Sequence, residues 1–173
     1  MSTSQFNLTT GQRAERKLLI TVAEWMEGST QTREILGTRT EDSSIDYNPD
    51  IETTTDILGI NYTDLNRTQP QQDFDPYLIL GGSKLGAKLN DIRRRNALSE
   101  LSQFTVYIIT AFIGNSTSGY ATEKHTGCTI TYNSIGGSTN VNFPISVYYS
   151  NNITLGTVNK LADDFTFTAD SSL

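Results

Sequence analysis

One cysteine, one histidine, one tryptophan, two methionines and four prolines in 173 residues leave little material for most kinds of site chemistry. A lone Cys128 excludes any disulfide within the chain. His125, the only histidine, forms an H-x-x-C pair with Cys128, and Glu123 stands nearby in sequence. A zinc site needs three or four ligands, and these residues fall in the approach to a strand, so no metal is expected. No G-x-S-x-G nucleophile elbow occurs, and a triad would have to be built on His125 alone. The run Gly81-Gly82-Ser83-Lys84-Leu85-Gly86 lacks the order of a phosphate loop. Asp73 and Asp75 fit no EF-hand spacing. No catalytic, cofactor-binding or metal-ligating residue is therefore assigned, and an enzyme is not expected. No apolar run approaches the roughly 20 residues that span a bilayer. The N-terminal MSTSQFNLTT has neither a basic nor an apolar leader region, so neither membrane insertion nor secretion is expected.

Positive charge is also scarce where it would matter for gripping phosphate. The net charge is −6 and the isoelectric point is about 4.7, which argues against a dedicated nucleic-acid binder. The acidity is concentrated. From Glu41 to Asp75 nine acids face one base, Arg67, a local charge of −8 that leaves the rest of the chain near +2. Ile57, Leu58, Ile60, Leu65 and Phe74 are spaced through this segment, so it is not a merely solvated tail. Long segments of this kind in compact domains usually have a function, and this one reads as a docking arm over 41–74. Bases cluster at Arg13, Arg16 and Lys17, and again at Lys84, Lys88, Arg93, Arg94 and Arg95. Arg93, Arg94 and Arg95 are candidate partners for the acidic segment of a neighbouring copy, with Ile57, Leu58, Ile60, Leu65 and Phe74 as its apolar contacts.

Ser, Thr and Asn make up 54 residues, a composition leaning to polar-faced β structure and turns. Lys17 to Trp25 reads as a strand and Thr32 to Thr38 as its return after a turn at Gly28 to Thr30. Ser43 to Tyr47 and Thr53 to Ile60 read as the two arms of a long projecting hairpin. Asp75-Pro76 has the chemistry of a helix start. Leu78, Leu85, Leu89 and Ile92 recur at helical spacing up to Arg93–Arg95, although Gly81, Gly82 and Gly86 predict a loose beginning or one after Gly82. Ser102 to Ile113 is the most apolar strand and the expected centre of the sheet. Thr126 to Tyr132, Val141 to Tyr149 and Phe165 to Thr168 complete the set. The expected fold is mainly β: an antiparallel sandwich or barrel in one domain over 1–173, with one flanking helix, a long projecting loop and a flexible N-terminal arm over 1–15.

The runs EDSSIDYNPDIETTTDILG and DLNRTQPQQDFDPYLILGGSKLGAKLNDIRRRNALSELSQF resemble the major tail tube proteins of long-tailed phages. TGCTITYNSIGGSTNVNFPISVYYSNNITLGTV, followed by DDFTF, looks like that family's closing strands. The resemblance covers roughly Lys17 to Phe167. It implies a structural virion protein whose rings of six copies stack into a hollow tail tube, assembled in the host cytoplasm. It also implies tape measure, tail terminator and distal tail proteins as partners, and double-stranded DNA passing through without specific binding. The acidic balance fits, since like charge gives DNA no grip. Contractile-tail tubes share this fold, so the inner tube of a contractile device is one alternative. A β-rich capsid decoration or host-binding module is another, though neither needs a 30-residue arm matched by basic patches on its own surface.

Overall fold

A computed structural model describes residues 5–171. The strands are β1 (Leu19–Glu27), β2 (Thr30–Ile35), β3 (Ile45–Asp46), β4 (Asp50–Thr55), β5 (Asn61–Arg67) and β6 (Gln71–Phe74). Helix α1 (Lys84–Arg95) follows, then β7 (Phe104–Asn115), β8 (Gly119–Tyr132), β9 (Ile145–Tyr148), β10 (Ile153–Val158) and β11 (Phe167–Ala169). Nine strands make one antiparallel sheet whose main path runs β2-β1-β7-β8-β9-β6-β3, with β10 and β11 attached alongside β8. Among the described residues β4 and β5 pair only with each other. The mainly β architecture with one helix is the one the composition and periodicity predict.

β7 sits between β1 and β8, as its apolar run predicts. It buries Phe104, Val106 and Ile108 on one face and Tyr107 and Ile109 on the other, the pattern of a strand covered on both sides. The larger core gathers Ala23 and Trp25 of β1, Phe74 of β6, Leu85, Leu89 and Ile92 of α1, Ile130 of β8 and Val147 of β9. The smaller core holds Val22, Tyr107, Ile109 and Val158 under Phe165. β8 changes partner along its length, pairing with β10 over Tyr120–His125 and with β9 over Thr129–Tyr132. Gly127, at φ +77°, is the extra residue of a bulge opposite Phe104 and Thr105. A bulge of this kind bends the strand, so the two halves of the sheet close on a common core. Gln72 ties the halves together, its Oε1 accepting from Thr21 Oγ1 (3.0 Å) and Tyr149 OH (2.7 Å).

Three local expectations are corrected. α1 does not begin at Asp75-Pro76. Asp75 Oδ1 accepts from Asn142 Nδ2 (3.0 Å), and Tyr77 N–H donates to Asn142 Oδ1 (2.9 Å), which holds this segment extended beside the chain entering β9. The cap is Ser83, whose Oγ accepts from the Gly86 N–H (3.2 Å), so the start after Gly82 is the one that forms. Ser43 to Tyr47 does not pair with Thr53 to Ile60; β3 joins β6 in the main sheet, and β4 finds β5. Finally, Val141 to Tyr149 is a strand only from Ile145, because Pro144 has no N–H for the ladder. Of the N-terminal arm expected over 1–15, residues 1–4 lie outside the described residues; Phe6 bridges to Ile113, and the Asn7 N–H donates to Phe112 O (2.7 Å).

Candidate assembly surface

The acidic segment is built around the β4–β5 hairpin. Asp56 makes its turn: Oδ1 accepts from the Leu58 N–H (2.8 Å) and the Ile60 N–H (3.0 Å), while Gly59 supplies the positive φ of +76° that the turn requires. Those donors, the Ile60 N–H above all, hold the Asp56 carboxyl below its usual range. The turn thus fixes the backbone of a tip whose side chains have no partner among the described residues: Ile57 is 102% exposed and Leu58 77%. Below it, the pairing sets Ile51 opposite Leu65 and Thr53 opposite Thr63 on one face. The other face carries Thr54 opposite Tyr62, and Glu52 opposite Asp64. Every residue of both strands is exposed. An isolated two-stranded hairpin is marginally stable at best in water, so this one has surface to gain from a partner.

The root of the hairpin is firm. The Gln69 N–H donates to Tyr47 O (2.8 Å), Asn48 Nδ2 donates to Gln69 O (3.1 Å), and Arg67 pairs with Asp50 at 3.7 Å. From there the chain enters β3 on one side and β6 on the other.

Of the apolar residues predicted for the interface, Ile57, Leu58, Ile60 and Leu65 lie together on this hairpin and are exposed. Phe74 does not join them. It is 2% exposed in the larger core and is removed from the candidate surface. Alternation in β6 buries Gln72 and Phe74 and turns Asp73 outward, a pattern legible only once β6 is known to be a strand. Ile51 and Tyr62, both exposed on the hairpin, are the residues that sequence reasoning missed; the cross-strand pairing with Leu65 and Thr54 reveals them.

Arg93, Arg94 and Arg95 end α1 and are exposed. Arg95 is engaged within the chain, with Asp91 (2.7 Å) and Glu100 (3.0 Å). Together with Lys88, it lowers the Glu100 carboxyl to about 2. Arg93 donates to Asn90 Oδ1 (2.9 Å), and neither Arg93 nor Arg94 has an ion pair among the described residues. The structure does not bring these arginines to the hairpin of their own chain.

His125 and Cys128 do not converge. His125 is 2% exposed; its Nδ1 is 3.2 Å from Ser150 O, its Nε2 is 3.2 Å from Glu123 Oε2, and its ring packs edge-on against Tyr149. The Cys128 thiol faces the core and donates to the His125 carbonyl (3.4 Å) rather than approaching the ring. Burial pushes that thiol's pKa up.

No protein-family model matches the chain, and no curated protein matches it. Among solved structures it is similar to a chain of the PVC sheath/tube terminator of an extracellular contractile injection system in the extended state. The identity is 12% and the TM-score 0.50, over 83% of this chain and 96% of that one. A chain of the PVC sheath-tube complex in the extended state is similar over 91% of this chain and 99% of that one, with 15% identity and a TM-score of 0.47. One from the baseplate of the anti-feeding prophage is similar over 89% and 100%, with 11% identity and a TM-score of 0.46. At such identities the likeness is one of fold.

Proposed function

We propose that the chain is a structural subunit that assembles with copies of itself into stacked rings of a tail-type tube. The observation that carries this reading is the β4–β5 hairpin. It is a firmly rooted projection with an apolar tip and no partner among the described residues, and the fold around it is similar to that of a chain of a sheath/tube terminator. In this reading the rings contain six copies, the tube belongs to a virion tail, and double-stranded DNA passes through it without specific contacts. Tape measure, tail terminator and distal tail proteins are its partners in this reading. The role is non-enzymatic. The inner tube or terminator of a contractile device is the second reading, favoured by the contractile origin of the terminator whose fold is similar.

Electron microscopy of concentrated purified protein, alone and with its assembly initiator, tests the proposal. Tubes of uniform width with six-fold rings are expected, and a protein that stays monomeric or dimeric in both conditions overturns it. Ile57→Ser combined with Leu58→Ser should abolish tubes while leaving the subunit's Tm unchanged, because neither side chain is buried in the free chain.

A further inference from the structure

A second apolar surface without a partner among the described residues lies beyond the other end of the β6–β9 pair from the hairpin. Between the start of α1 and the loop before β9 runs a groove of about 330 Å³, lined by Ile79, Leu80, Ala87, Asn90, Ile135 and Val141. Ile79, Leu80, Ile135 and Val141 are all exposed large hydrophobics. The groove is well framed. The Ile79 N–H donates to Val141 O (3.0 Å), and Gly136 and Asn142 exchange backbone hydrogen bonds of 3.0 and 2.6 Å.

Its placement follows from β6 and β9. These strands are antiparallel, with Gln71 opposite Tyr148 at one end and Phe74 opposite Ile145 at the other. The hairpin leaves from the Gln71 end, where Gln69 is bonded to Tyr47. The groove opens beyond the Phe74 end, where Ile79 meets Val141. Projection and groove therefore lie at opposite ends of one strand pair. A surface and its complement at opposite ends of a subunit make a heterologous, head-to-tail contact that repeats along an axis.

Charge agrees with this pairing. Residues 50–67 carry Asp50, Glu52, Asp56 and Asp64 against Arg67 alone. Among the described residues Glu52, Asp56 and Asp64 have no ion pair, while Arg67 is taken by Asp50. Positions 87, 90 and 94 follow one stripe of α1, so Arg94 continues the line of the groove, and Arg93 is bonded to groove-lining Asn90. The projection thus carries acids, and the groove is flanked by bases, that have no ion pair among the described residues.

We infer that the groove between α1 and the loop before β9 is the receptor for the hairpin tip of a second copy, with Ile57 and Leu58 seated between Ile79, Ile135 and Val141 and the hairpin acids set against Arg93 and Arg94. The inference rests on the stacked-tube reading and adds to it the place where the hairpin ends.

The test is a cross-link between copies. In a Cys128→Ser background, Thr55→Cys places a thiol on β4 beside the tip, and Ala87→Cys places one in the groove's lining; both positions are exposed, and neither is among Ile79, Ile135 and Val141, which seat the tip. Tubes of the double variant treated with a short bis-maleimide should give a ladder on a denaturing gel that climbs well past six copies, and each single variant should not. Tubes without a ladder, or a ladder that stops at closed rings, overturn the inference while leaving the tube intact. Absence of tubes from the unsubstituted protein instead overturns the underlying reading. As a second measurement, Ala87→Trp fills the groove from an exposed position; it should leave the subunit's Tm unchanged and abolish stacking, and tubes of normal yield from this variant overturn the inference.

Discussion

The Leu85 N–H in the first turn of α1 donates to the carboxylate of Glu34 on β2 at 2.8 Å. The same oxygen takes the Lys84 N–H, and the other accepts from the hydroxyls of Tyr77 and Ser83, both at 3.1 Å. One side chain thus satisfies free donors of the helix end and places its charge where the helix dipole favours it. It also holds the segment 77–83, which forms one lip of the groove. Glu34→Ala should destabilise the subunit by roughly 1–3 kcal/mol, the range for a charged hydrogen-bonding group removed from partly buried donors. Urea unfolding should show a lower midpoint at unchanged slope.

Glu52 and Asp64 stand directly opposite on the hairpin, an arrangement that is unfavourable by roughly 0.2–1 kcal/mol in exposed strand pairs. Glu52→Lys should therefore slow amide exchange at Thr53 and Thr63 in the free subunit and weaken stacking, since it removes an acid from the hairpin proposed to dock. Faster exchange in the variant would contradict the register-based argument.

Exchange in the unmodified protein provides a separate check. Free of a partner, β4 and β5 are held by a single ladder in full contact with water, so their amides should exchange much faster than those of β7. In the assembled tube, burial of side chains such as Ile57 and Leu58, worth roughly 1.5–3 kcal/mol each, should protect them. Equal protection in both states would remove the docking role of the hairpin.

Glu100 makes the stability of the α1 terminus depend on pH. Its folded pKa is lowered to about 2 by Arg95 and Lys88, against about 4.3 for an ordinary glutamate. A depressed carboxylate contributes stability that is present above the unfolded value and is lost as pH falls through the folded one. The Tm difference between the unsubstituted protein and Glu100→Gln should accordingly shrink between about pH 4.3 and about pH 2. A Glu100 carboxyl that titrates by NMR near the ordinary value would refute this.

His125→Ala should cost stability rather than a chemical activity, since the ring is buried and partnered through both nitrogens. A loss of roughly 1–3 kcal/mol is expected for the polar partners left unmatched, with tube assembly intact below the lowered Tm. The Cys128 thiol, fully buried, should resist maleimide until the protein unfolds. Stoichiometric zinc in protein purified without added metal would overturn this reading of both residues.

The parts of the fold legible in the sequence are those that depend on near neighbours. Ser102 to Ile113 reads as the central strand because its apolar residues continue on both parities, which only a strand covered on both faces tolerates. Leu85, Leu89 and Ile92 announce a helix by spacing alone, and all are buried in it. The start of that helix was less legible. Asp75-Pro76 has the right local chemistry, but Asn142, 67 positions away from Asp75, takes both its carboxylate and the Tyr77 N–H.

Local pattern likewise sets the acidity of residues 41–75, the apolar residues at the tip, and the shortage of histidine and cysteine for site chemistry, because these are properties of composition and order. Which strand pairs with which is not such a property. Ser43 to Tyr47 and Asp50 to Thr55 are both short and polar, and only the anchoring of β3 on β6 and the Asp56 turn decide that the second forms the projection. Tertiary packing also took Phe74 into the core, since β6 lies between β3 and β9 with that face inward. It assembled the groove from residues 79–90, 135 and 141, which no sequence window contains. And it set hairpin and groove at opposite ends of β6 and β9, because antiparallel pairing sends the chain in at one end of the pair and out at the other.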